Sequence, residues 1–341
     1  MGGDHGPPVT VAGVALALER LADRSLRFLL HGDETALKAE LTRHKAAAAA
    51  CEVRHSDAVI AMDAKPAQAL RGGRGSSLWN AVAAVKSGEA QAAVSAGNTG
   101  ALMAISRWQL KMVQGLERPA IVASWPTPKG FTTVLDVGAN VESDGAELVE
   151  FAILGEAFYR AVHGKERPVI GLLNVGAEEA KGHQEVKEAQ RLLRELDLPL
   201  TYHGFVEGND IAKGTVDVVV TDGFTGNVAL KTAEGMARFF SSTLREALTS
   251  SVSAKAGALL ARGALGRLRN TLDPSTVNGG PLLGLKGTVV KSHGGADAKG
   301  TANALRIAAD LGRSRYLQDI EANMAGFLSR VAERQPQLET A

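Results

Sequence analysis

Ala92-Ala93-Val94-Ser95-Ala96-Gly97-Asn98-Thr99-Gly100-Ala101-Leu102-Met103 reads as a short apolar strand, a turn opened by two glycines and the start of a helix. The same order recurs along the chain. Residues 26–30 lead into His31-Gly32-Asp33 and a helix over about 34–45. Residues 132–136 lead into Val137-Gly138-Ala139-Asn140, and residues 169–173 into Asn174-Val175-Gly176. Residues 217–221 lead into Asp222-Gly223-Phe224-Thr225-Gly226-Asn227. Apolar runs without polar alternation are strands covered on both faces, and strands alternating with helices build a mostly parallel sheet. The expected fold class is therefore α/β, a three-layer α/β/α sandwich. Ligands of such sheets bind beyond the carboxyl ends of the strands. The turns at 95–100, 136–140, 174–176 and 222–227 are accordingly expected on one rim.

The rest of the chain narrows the function classes. It has 341 residues, with 38 Lys and Arg against 37 Asp and Glu, a formal net charge of +1. Aromatic residues make up 4%. That leaves neither the basic footprint nor the stacking rings of a nucleic-acid binder. A chain this long buries about three quarters of its unfolded surface and needs no covalent staple. The single cysteine, Cys51, excludes an intramolecular disulfide and a cysteine-cluster metal site, and fits a reducing compartment. No apolar run approaches the roughly 18 residues of a membrane span, and the N-terminus lacks the pattern of a signal peptide. A soluble cytoplasmic protein is expected. With no internal repeat or clean linker, residues 1–334 are expected to form one catalytic domain and residues 335–341 a flexible tail.

Several chemistries have no motif here. There is no GxxxxGK[ST] loop, HExxH or GxSxG elbow, and no GxGxxG opening a helix. Cys51 lacks a glycine elbow or an adjacent base, which argues against a cysteine nucleophile. The turn of Ser95, Gly97, Asn98, Thr99 and Gly100 offers free amides, short donors and a helix N-terminus, a combination suited to phosphate. It reads equally as a capped turn with Asn98 or Thr99 at the N-cap. Asp222 through Asn227 has the same build with an acid at the strand end, and the same capping alternative. Lys291-Ser292-His293-Gly294-Gly295 sets an imidazole between a strand and glycines, where it can donate to an oxyanion, move a proton or simply bond the backbone. Asp4-His5 and the cluster containing Lys181 are further polar groups among glycines.

These segments, with Glu207-Gly208-Asn209-Asp210 and Gly280-Pro281-Leu282-Leu283-Gly284, stand in an order that resembles the bacterial phosphate acyltransferase (PlsX) family over residues 1 to about 300. The resemblance implies transfer of a fatty acyl group from acyl carrier protein to inorganic phosphate, giving acyl phosphate for phospholipid synthesis. It implies a fold similar to isocitrate and isopropylmalate dehydrogenases, no metal or organic cofactor, and a homodimer. It also implies reversible attachment to the inner face of the membrane, where a glycerol-3-phosphate acyltransferase uses the product. Relatives carry a short strand ahead of the motif that begins at Met1, so either the start lies upstream or the sheet is one strand short. On this reading Ser95, Gly97, Asn98, Thr99 and Gly100 cradle phosphate. Lys181 and His293 neutralise charge or assist the thiolate, Asn227 donates to the oxyanion, and Asp222 orients its neighbours. Asp4, His5, Asn140 and Asn174 are further candidates for the substrate site. The rival readings are a phosphotransacetylase-like enzyme using acyl-CoA, a hydroxyacid dehydrogenase of similar fold, and a non-catalytic membrane or carrier-protein scaffold.

Residues 246–273 form the candidate membrane contact. No acid falls between Glu246 and Asp273, and Lys255, Arg262, Arg267 and Arg269 are basic. On one helix Leu260, Leu265 and Leu268 share a face flanked by Arg262 and Arg269, which suits anionic lipid. A core or dimer-interface helix has the same pattern.

Overall fold

The computed structural model describes residues 1–23 and 25–338, without the side chains of residues 269, 270, 272, 274 and 334–338. The first part of the chain runs α1 (Gly6–Leu21), β1 (Phe28–Gly32), α2 (Glu34–Leu41), α3 (Lys45–Ala50), β2 (Cys51–His55), α4 (Pro66–Gly72), α5 (Ser77–Lys86), β3 (Ala92–Ser95) and α6 (Thr99–Leu110). The middle holds β4 (Ala120–Thr127), β5 (Gly130–Leu135), α7 (Gly145–His163), β6 (Val169–Leu173), α8 (Gln184–Glu195), β7 (Thr201–Val206), α9 (Gly208–Lys213) and β8 (Val218–Val220). The last part is α10 (Gly223–Thr249), α11 (Val252–Leu260), α12 (Arg262–Leu272), β9 (Gly280–Leu283), β10 (Thr288–Lys291), α13 (Ala298–Arg313) and α14 (Tyr316–Leu338).

Eight strands form the main sheet in the order β3-β10-β9-β4-β5-β8-β6-β7, and β1 pairs with β2 alone. The α/β class holds, and the reason lies in the strands. On β5 and β8, Leu135, Val218 and Val220 pack into the core around α7, while Val134 and Val219 pack with Ile211 of α9 on the other face. Both sides of these strands are dry, so no polar residue alternates. Helix α7 is buried nearly all round, with Phe151, Ile153, Leu154 and Phe158 at 1% exposure or less. It contacts α8, α13, α14 and β8 as the centre of the largest core.

Strand direction overturns the expectation of a single rim. β3 runs parallel to β10, but β9 is antiparallel to β10, β4 to β9, and β5 to β4. β5, β8, β6 and β7 are parallel to one another. The two parallel arms therefore point opposite ways. The turn after β3 leaves one edge of the sheet, and the turns after β5, β6 and β8 leave the other. The cause is the β4–β5 hairpin, which Thr127 and Gly130 close as facing residues. β4 and β9 were not evident as strands from their composition.

Three helix expectations change. The helix expected over 34–45 ends at Leu41, and a second, Lys45–Ala50, follows. The single helix expected to carry Leu260, Leu265 and Leu268 is broken at Ala261, the C-cap of α11 and N-cap of α12. Helix α14 continues to Leu338, into the segment expected as a tail, and 339–341 lie outside the described residues. A cavity of about 500 Å³ lies between β1 and β3, lined by both strands and by α1 and α13.

Candidate active site

The turn after β3 is built by its own side chains. Asn98 caps α6 by accepting the Ala101 N–H at 2.8 Å. Its amide donates to the backbone oxygens of Ala61, Met62 and Ala64 at 3.3, 2.7 and 2.9 Å. The Asn98 side chain thus positions the turn, and its amide has no donor to spare for an anion. Ser95 Oγ accepts the Gly97 N–H at 3.1 Å, closing the turn. The N–H groups of Thr99 and Gly100, in the first turn of α6, have no partner among the described residues, and the helix dipole puts partial positive charge there.

Strand β10 lies beside β3 and delivers the cations. The Ser292 N–H donates to Ser95 O at 2.9 Å. Lys291 Nζ donates to Ala96 O at 3.2 Å and to Ser292 O. Burial pushes the Lys291 ammonium down to about 8, and Asp4 pulls partly the other way. His293 is exposed, and its Nδ1 accepts the Gly295 N–H at 3.1 Å. In the neutral ring the proton then sits on Nε2, leaving that nitrogen free to donate. The His293 N–H is held by Asn278 Oδ1 at 2.8 Å, and Asn278 Nδ2 donates to Ser292 Oγ at 2.8 Å. The N-terminal loop closes the group: the Asp4 N–H donates to Gly294 O at 2.9 Å. His5 stands at the N-cap of α1 and makes no capping bond.

The opposite edge holds a second group. Asp136, fully buried, accepts the N–H groups of Ile121, Gly138, Ala139 and Asn140, with distances from 2.6 to 3.2 Å. Burial pushes its carboxyl above the usual range, while those donors favour the ionised form. Asn140 donates to Asp136 Oδ2 at 3.0 Å and Pro119 O at 2.9 Å and is 5% exposed, so it braces the turn and is not free for a substrate. The first turn of α10 is pressed onto this loop: a Cβ at Gly226 would stand 1.9 Å from Asp136 O, and one at Gly223 2.1 Å from Asn140 O. Asp222 accepts the Thr225 N–H at 2.8 Å and the Thr225 hydroxyl at 2.7 Å, which makes it the N-cap of α10. Asn227 is exposed beside Gly138, without a hydrogen-bond partner among the described residues.

Beyond β6, Asn174 donates to Lys181 O at 3.1 Å and accepts the Val175 N–H at 2.9 Å. Lys181 Nζ donates to Glu178 at 2.7 Å, which holds the ammonium above its usual range at an exposed position. Lys181 and His293 therefore stand at opposite sheet edges, and among the described residues no hydrogen bond or ion pair joins their groups. Their expected joint action on one leaving group has no support within a single chain. Composition missed Asn278, whose only signal is its place before Gly279-Gly280, and gave Lys291 no role although it opens the histidine motif. Burial pushes the Cys51 thiol up to about 11, so it stays protonated and is no nucleophile.

The apolar face of the last helices is bare. Only Gly223 and Gly226 of α10 are buried, while Phe224, Val228, Met236 and Phe239 are at least half exposed. Leu260 is 90% and Leu268 38% exposed, Arg262 is exposed and Leu265 half-buried. Arg269 lies within α12, its side chain outside the described residues. Among the described residues no helix is long and apolar enough to cross a membrane.

Solved structures with the same fold include a phosphotransacetylase from Streptococcus pyogenes, with TM-score 0.57, 17% identity, and coverage of 89% of this chain and 92% of that one. A branched-chain phosphotransacylase from Enterococcus faecalis gives TM-score 0.57 at 16% identity, over 92% of this chain and 97% of that one. The phosphate acyltransferase of Caulobacter vibrioides is 65% identical over 332 residues, 97% of this chain and 92% of the relative. That of Maricaulis maris is 58% identical over 330 residues, 96% of this chain and 94% of the relative. A family model described as fatty acid synthesis protein matches residues 1–318. With an oxyanion-ready turn at β3 and this likeness over nearly its whole length, the chain belongs to the bacterial phosphate acyltransferase (PlsX) family.

Proposed function

We propose that this phosphate acyltransferase takes its fatty acyl group from the thioester of acyl carrier protein and delivers it to inorganic phosphate. The observation that carries this reading is the convergence at the tips of β3 and β10: free N–H groups opening α6, with Lys291 and His293 alongside. Phosphate is itself a nucleophile, so the chain must hold it against the thioester and stabilise developing charge. A phosphate oxygen bonds to the carbonyl carbon, and the tetrahedral oxyanion then expels the thiolate. The C–S bond breaks, acyl phosphate leaves, and the thiolate takes a proton. Thr99, Gly100 and Lys291 hold the phosphate, Ser95 and Gly97 shape its turn, and His293 donates from Nε2 to the departing sulfur. Asp4 partly offsets the loss of charge that burial favours at Lys291.

A homodimer is supported by the bare apolar face of α10. Contact with anionic lipid is supported by Leu260, Leu265, Leu268 and Arg262 on α11 and α12, which sets the enzyme at the inner face of the membrane. There a membrane glycerol-3-phosphate acyltransferase consumes acyl phosphate for phospholipid synthesis. The fold shared with phosphotransacetylases favours one second reading, acyl-CoA as donor.

The test is to incubate the protein with phosphate and acyl carrier protein thioester, trap acyl phosphate as hydroxamate, and repeat with acyl-CoA. Signal with the carrier and little with acyl-CoA is expected, and His293→Ala should lower turnover by orders of magnitude with folding intact. Equal rates with acyl-CoA select the second reading, and no hydroxamate from either donor sinks both.

A further inference from the structure

Helices α5 and α6 bring two tryptophans together on the surface. The rings of Trp79 and Trp108 lie 5.3 Å apart between centroids, tilted by 41°, and Trp108 is 46% exposed. Three cations ride on them. The Arg74 guanidinium is 5.9 Å from the Trp79 ring centre, and Lys86 and Lys111 Nζ are each 5.8 Å from that of Trp108. Arg107 is exposed on α6 beside Trp108, and exposed Lys286 donates its N–H to Lys111 O at 3.0 Å.

None of these five cations has a carboxylate partner among the described residues. Other surface cations are held by acids, among them Arg191 by Glu188 and Glu195, Arg194 by Glu179, and Arg43 by Glu40. The nearest acid along α5, Glu89, is held by Arg54. In a chain with a formal net charge of +1, this face thus carries five cations around two rings with no acid of its own to neutralise them among the described residues. Cation–π contact orders the cations but leaves their charge open to a partner. Tryptophan and arginine are also the residues that carry most energy at protein interfaces.

We propose that this α5–α6 face docks an acidic protein that carries the acyl thioester. The proposal rests on the donor assignment above and names where that donor sits. Helix α6 links the two places: its first turn is the phosphate station, and Trp108 lies nine residues further on, about 14 Å at 1.5 Å per residue. A carrier seated on the tryptophans therefore lies one helix-length from the reacting carbonyl. Tilted, partly buried rings framed by cations fit a folded acidic surface. A lipid surface would favour protruding aliphatic side chains, which this protein exposes on α11 instead.

The test is the triple variant Arg74→Glu, Lys86→Glu, Lys111→Glu, with Trp108→Ala as a milder second variant. All four positions are exposed, and circular dichroism melts check folding. Initial rates are measured with acyl carrier protein and with an acyl thioester of a small thiol. The expected result is at least a tenfold rise in KM for the carrier, with the small-thioester rate unchanged. Wild-type kcat/KM for the carrier should fall with salt and the variant's should not. An unchanged carrier KM and salt slope overturns the proposal, as does a triple variant that keeps the carrier but loses anionic vesicles. If wild type transfers no acyl group, the functional reading fails by itself. Carrier binding by titration then decides: loss in the triple variant upholds the docking face, and equal binding refutes it.

Discussion

Lys291 is the titratable group of the proposed phosphate station. Burial holds its pKa at about 8 against an ordinary 10.5, so it is charged at neutral pH and loses its charge as pH rises through about 8. KM for phosphate is therefore expected to rise between about pH 7 and 9. Lys291→Arg, which stays charged over this range, should abolish that rise. A rise that persists in the arginine variant would remove Lys291 from the station. Asn98 and Asn140 teach a related lesson. Both are polar, glycine-flanked and next to strand tips, the composition of ligand contacts. Both spend their amides on the protein's own backbone, as buried amides must when water is excluded. Which of two asparagines is free depends on what folds over it, and nothing in the local sequence states that.

Among the elements, α7 decides how tightly the layers close. Gly155 faces β5 and β8, and a Cβ there would stand 2.6 Å from Val218 Cγ1 and 2.8 Å from Leu135 Cδ2. Val218 and Leu135 are both fully buried and have nowhere to move. Alanine gains about 1 kcal/mol in helix preference. The clash exceeds that gain, and Gly155→Ala is expected to destabilise by a net of about 1–2 kcal/mol. Urea denaturation at constant m-value measures it, and a stabilised variant would mean that α7 can lift off the sheet. The break at Ala261 matters in the same way. The residues of α11 and α12 share a helical period across it, yet they belong to two helices. Periodicity assumes an unbroken axis.

At the scale of the whole molecule, the exposed apolar residues from α10 to α12 stand uncovered among the described residues. Leu265→Glu with Leu268→Glu is expected to release the protein from anionic vesicles in a flotation assay while leaving acyl transfer in solution intact. Unchanged flotation would assign the face to a second copy of the chain. The strand–turn–helix grammar, the two-sided burial of 169–173 and 217–221, and the glycine-opened, Asn98-capped turn at 95–100 were all legible in the sequence. Each is a local matter of apolar runs, glycine and capping residues. Tertiary structure alone decided that the two parallel arms oppose each other, that Lys181 and His293 stand at different edges, and that Lys291 is buried enough to titrate near neutrality. An apolar run records that a strand is covered on both faces. Its direction is set by backbone pairing with strands far away in the chain, and pairing leaves no mark on side-chain composition.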